Sequence, residues 1–158
     1  MRKVILVVLL ILAGGLVAIQ FVQPDPNLGN LPQKHDMLNT LEVPEQVLAL
    51  LKNSCYDCHS NHTRYPWYSK ISPVSWYLSR HIEAGKKAVN FSEFGQFKQR
   101  KKIGTLSSIC EVLESASMPL KSFLILHRDA SLEEEQVMDI CNWSEAEALK
   151  IMKLGDDP

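Results

Sequence analysis

Two cysteines separated by two residues and followed at once by a histidine, Cys55-Tyr56-Asp57-Cys58-His59, constrain this chain more than any other feature. In this pattern both thiols can add across the vinyl groups of one porphyrin edge, while the adjoining imidazole rises to the iron. A chain that holds haem in this way must wrap a flat apolar disc. Four cysteines and five histidines in 158 residues would produce the pattern by accident only about 0.003 times.

Other chemistries use the same spacing. A Cys-x-x-Cys pair can exchange disulfides, and with Cys110 and Cys141 it could supply four thiolates to zinc. A dithiol site of the thioredoxin kind follows a strand. Here the preceding residues, Pro44 to Lys52, read as a short helix with Pro at its first position and Val47, Leu50 and Leu51 on one face. That context favours haem.

The amino terminus bears on location. Arg2 and Lys3 precede a stretch without charge from Val4 to Pro24, apolar almost throughout to Val22. About 20 apolar residues match the hydrocarbon thickness of a bilayer, and no clean small-x-small cleavage site follows. Residues 1–23 therefore read as a signal anchor crossing a membrane through residues 4–22, with a cleaved signal peptide as the alternative. Either way the positive-inside rule exports the chain beyond Gln23. Thioether attachment of haem in bacteria belongs to the same outer face of the cytoplasmic membrane, so motif and location agree. In that oxidising compartment Cys110 and Cys141 could pair as a disulfide or remain as small apolar core residues.

Residues 24–43 hold three of the eight prolines and no sustained periodicity, which reads as a linker. The remainder, 44–158, suffices for one domain. Without Arg2 and Lys3 the exported part carries 15 basic against 18 acidic residues, a balance that argues against nucleic-acid binding. The run Lys98 to Lys102 reads as a solvated helix start.

The periodicity predicts an all-α domain. A helix capped by Ser72 and opened by Pro73 would carry Val74, Tyr77, Leu78, His81 and Ile82 on one face. A third, from near Phe97 to Ser115, would bury Ile103, Leu106, Cys110 and Leu113. A fourth, opened by a capping box from Ser131 to Glu134 and reaching Lys153, would bury Val137, Ile140, Cys141, Ala148, Ile151 and Met152. No alternating run is long enough for a sheet.

His59 leaves a sixth iron position, and its occupant separates an electron carrier from a ligand-binding site. Met118 is the candidate, since Pro119 biases it out of helical geometry into a turn that can present the thioether. His81 is the alternative, facing the expected core. His62 is too near His59 to cross the ring, His127 ends a short segment, and His35 lies in the linker. Tyr65, Trp67, Tyr68, Trp76 and Tyr77 could wall a porphyrin, with Arg64 or Lys70 meeting its propionates.

These residues carry a resemblance. The motif with Ser60-Asn61, then Thr63, Tyr65-Pro66-Trp67-Tyr68-Ser69, Pro73-Val74, Trp76, Gly85, Asn90-Phe91-Ser92-Glu93 and Met118-Pro119, resembles the exported bacterial haem-binding domain family from about Pro44 to Trp143. Arg128 departs from it where Pro is expected after His127. The resemblance implies a small cytochrome c-like helical domain around one covalent haem c. Cys55 and Cys58 would be its attachment sites, His59 the proximal ligand and Met118 the distal one.

The expectation is a membrane-tethered, periplasm-facing monohaem cytochrome, not an enzyme, that passes single electrons between unidentified redox partner proteins. A haem-based sensor with an open or displaceable sixth position is the alternative.

Overall fold

The computed structural model describes residues 1–29 and 33–155, and among these every regular element is helical, as expected. α1 (Arg2–Ala18) continues through a tighter turn to Phe21 and buries none of its residues. Its 20 residues rise about 30 Å. Such a helix could span a membrane or serve as a signal sequence.

The helices after it are α2 (Met37–Thr40), α3 (Glu45–Ser54), α4 (Tyr56–His59), α5 (Val74–Ala88), α6 (Gln99–Glu114), α7 (Lys121–Leu124) and α8 (Glu134–Gly155). α6 and α8 form the principal pair, with α3 laid against α8. Leu51, Phe94, Leu106 and Ile140 are fully enclosed between them, and Trp143 closes one end. Trp143 satisfies its buried Nε1–H on the Glu42 carbonyl at 3.0 Å. A disulfide joins Cys110 to Cys141 with a Cα separation of 4.9 Å, deciding between the two states that the sequence left open. It closes a loop of 31 residues, worth about 3–4 kcal/mol through the entropy removed from the unfolded chain.

The stretch expected as a linker is tied into the domain. Met37 is wholly buried in the core. Asp36 caps α2 through the Leu38 amide and accepts from the Tyr56 hydroxyl at 2.8 Å and from Ser92. Upstream, Asn27 donates to the Ser60 carbonyl and to Thr63 while accepting from Lys86. These bonds fasten the segment under the loop after the motif. Proline content misled the reading, because an irregular backbone can satisfy its polar groups on a neighbour as well as on water.

Three local expectations shift. α5 begins at Val74, one residue after Pro73, and Ser72 bonds Ser75 and Gln23. α8 begins at Glu134, and the Glu133 amide donates to Gln136 in place of the Ser131–Glu134 box. Met152, expected inside, is 46% exposed, because α8 turns that face away from α6.

Candidate functional site

α3 ends at Ser54, and Cys55 leaves helical geometry with φ −125° before the chain re-enters a single turn, α4. The amides of Cys58 and His59 both donate to the Cys55 carbonyl, at 3.2 and 3.1 Å. This turn gathers the motif into one knot. Asp57 then braces the loop beyond His59: it pairs with Arg64 at 3.0 Å, accepts from the Arg64 amide, and its carbonyl accepts from Thr63. Arg64 is thereby held by Asp57 and by the Lys52 carbonyl. Lys70 lies exposed on the surface.

The knot rests on α5. A Cβ added to Gly85 would lie 2.5 Å from the Cys58 carbonyl oxygen, a contact that only glycine avoids. The same approach brings Val89 to His59, whose Nδ1 lies 3.2 Å from the Val89 carbonyl. With the proton held on Nδ1, the lone pair sits on Nε2, the form in which imidazole ligates a metal. Burial lowers the His59 pKa and keeps the ring neutral, outweighing the backbone hydrogen bonds that oppose it.

Beside the knot lies a cavity of about 520 Å³. Cys55 and His59 border it on one side, α6 contributes Gly104, Thr105, Ser108 and Val112, and Met118 and Pro119 complete the wall. Lys101 is the charged residue at its edge, and its ammonium sits 3.7 Å from the centroid of Phe97. A Cβ on Gly104 would meet nothing within 4 Å: helix α6 leaves room here that its own side chains do not fill.

Met118 reaches this wall through the end of α6. Ala116 adopts φ 50°, the left-handed conformation, and donates to Leu113, while Ser117 donates to Val112. This pairing is a Schellman motif. It reverses the chain and returns Met118, whose amide also donates to Val112, toward the cavity. Alanine in place of the usual glycine hides the motif from a reading of the sequence.

His81 takes another place. Its Nδ1 bonds the Tyr77 carbonyl one turn back at 2.8 Å, and it lines a separate cavity of about 140 Å³ with Cys58, Tyr68, Leu120 and Phe123. Met118 and His81, weighed for the same position, thus border different spaces. Cys55 borders the first and Cys58 the second. The other histidines serve the scaffold: His62 bonds the Gly29 carbonyl, and His127 stacks on Phe123 and bonds the Tyr68 hydroxyl. His35 bonds Gly95 through its carbonyl.

The alternatives for the motif cysteines can now be weighed physically. Burial, with Cys58 nearby, pushes the Cys55 thiol up to about 12, and burial, with Asp57, pushes Cys58 up to about 11. A dithiol exchanger needs the reverse, a thiolate near neutral pH. A four-cysteine zinc site would need Cys110 and Cys141, both consumed in the disulfide. The donor set fits haem better than either: two adjacent thiols, a neutral imidazole with its lone pair on Nε2, a thioether and an apolar-walled space.

The residues that sequence reasoning missed are those of the α6 wall. Gly104 and Ser108, small residues one turn apart opposite the Leu106–Cys110 stripe, were the available clue.

Comparison with known families agrees. Residues 14–146 match the family described as haem-binding domain, a span that starts inside α1. No curated protein and no solved structure matches the chain.

Proposed function

The chain belongs to the haem-binding domain family, and from that premise we propose that it is a membrane-tethered monohaem cytochrome c that carries single electrons on the outer face of the bacterial cytoplasmic membrane. The supporting observation is one apolar cavity bordered by Cys55, His59 and Met118 together.

In this reading Cys55 and Cys58 would hold the haem through thioethers, and His59 Nε2 and the Met118 sulfur would be its iron ligands. Bound haem c supplies an iron that exchanges one electron between its ferrous and ferric states. Val89 fixes the His59 tautomer, so the ring is presented in one orientation. Val89, Phe91, Ile109 and Val112 give the cavity an apolar wall, and such a surround with a thioether ligand would favour a comparatively high potential. No group acts on a substrate. α1 anchors the domain, with Arg2 and Lys3 on the cytoplasmic side. The near balance of charge suits brief, weakly steered encounters with redox proteins.

The test is the absorption spectrum of the full chain produced with haem-attachment machinery. Haem that stays on the chain through denaturing electrophoresis is expected, with the weak far-red band of thioether-ligated ferric haem and no response of the reduced form to carbon monoxide. Met118→Ala should abolish that band and open the iron to carbon monoxide, whereas His81→Ala should leave both unchanged. Ready carbon monoxide binding by the unaltered protein would reassign it to ligand sensing. Absence of covalent haem would end the cytochrome reading.

A further inference from the structure

The end of α1 does not hang free of the domain. The Gln20 amide bonds Ser72 twice, donating to its carbonyl at 3.0 Å and accepting from its N–H at 2.9 Å. Gln23 donates to the Ser72 hydroxyl at 2.9 Å, and the Trp76 indole donates to the Val22 carbonyl at 2.7 Å. With the Ser72 hydroxyl donating to the Val22 carbonyl at 3.4 Å, five hydrogen bonds clamp the end of the anchor to the start of α5.

Around the clamp the domain exposes large apolar side chains. Trp67 is 79% exposed and Ile71, next to Ser72, 43%. Tyr77 lies one turn into α5. Ile125 and Leu126, 71% and 63% exposed, precede His127, whose bond to Tyr68 ties them to the same turn as Trp67. Isolated exposed apolar residues are ordinary, but a contiguous group with Trp and Tyr is the composition of a membrane interface. Exposed Lys70, in the same turn, suits anionic headgroups. α8 also exposes apolar residues, Met138 and Met152 included, but among the described residues no hydrogen bond joins α8 to residues 1–23.

We propose that the face bearing Trp67, Ile71, Tyr77, Ile125 and Leu126 lies in the headgroup layer of the bilayer that α1 crosses, held there by the bonds of Gln20 and Gln23 to Ser72. The inference rests on the anchor reading of α1. Its occupant is lipid, because the clamp makes the patch continuous with the apolar helix, so the patch stands at the depth where that helix leaves the hydrocarbon. The clamp also gives the haem cavity a defined height and tilt over the membrane, where a freely jointed tether would give neither.

The experiment is hydroxyl-radical footprinting of the full, haem-loaded chain, one copy per nanodisc of phosphatidylcholine and phosphatidylglycerol, read by mass spectrometry. Trp67 and Tyr77 are expected to oxidise about five-fold more slowly than in the same chain kept soluble by an amphipathic polymer, as befits rings placed at headgroup level. Met138 and Met152 serve as unshielded references and should not change. The double variant Gln20→Ala, Gln23→Ala should lose most of the protection at Trp67 while keeping its haem spectrum. Trp67 as reactive in nanodiscs as in polymer would overturn the proposal, as would protection that appears only when other proteins are added. Protection that survives in the double variant would overturn the role of the clamp. Failure of the chain to enter nanodiscs or to float with vesicles would instead refute the anchor reading itself.

Discussion

α6 presents two unlike faces along the same sixteen residues. Toward α8 it turns Leu106 and Cys110, fully packed and covalently tied to Cys141. Toward His59 it turns Gly104, Thr105, Ser108 and Val112, which border open space. Ile109 and Leu113 sit where the two meet. The first face is finished by the chain's own side chains, as close packing of a protein interior requires. The second leaves an apolar-walled gap with no side chain to fill it. Such a gap is costly unless a molecule from outside completes it, and on the proposed reading that molecule is haem, with the motif residues on the far side of the gap.

The comparison can be broken most sharply at Gly104. Gly104→Leu puts a side chain into the cavity where no atom stands within 4 Å, so most covalent haem should be lost on a haem-stained gel. Helix content by circular dichroism should remain intact, since leucine is the better helix former by up to about 1 kcal/mol. Equal loss of haem and helix would mean that this face is ordinary core.

On the packed face, Cys110→Ser with Cys141→Ser should lower stability by about 3–4 kcal/mol, measured by denaturant titration. The haem spectrum of the fraction that remains folded should not change. A shift in that spectrum would show that the two faces are coupled through α6.

A smaller effect is expected where α6 ends. Ala116→Gly removes the strain of a left-handed alanine and should stabilise by about 1 kcal/mol. It should leave the oxidised spectrum untouched, because the Schellman bonds that return Met118 are kept.

How much of this could be read in advance varied with the range of the interactions. The long helices α3, α5, α6 and α8 were legible because their apolar stripes recur at helical spacing, as in Val47 and Leu51 or Val137, Ile140 and Cys141. The packing of Met37 and Asp36 was not, since a short irregular segment carries no period and its burial depends on Tyr56 and Ser92 far along the chain. Nor was the sorting of His81 from Met118. Helical periodicity put His81 on an apolar face, but a helix of that length meets more than one space, and only its packing against α4 and the 118–126 segment shows which.

The amino-acid sequence by itself placed Cys55, Cys58 and His59 within five residues, so the proposed cooperation of the three at one porphyrin rests on covalent spacing alone. It also determined the apolar helix, whose length and lack of charge are local properties. The tertiary structure decided the pairing of Cys110 with Cys141, the return of Met118 to the wall of the His59 cavity, the open face of α6 and the clamp between Gln20 and Ser72. Each of these joins residues across loops or helices, and such contacts depend on how elements pack against one another, which no local pattern records.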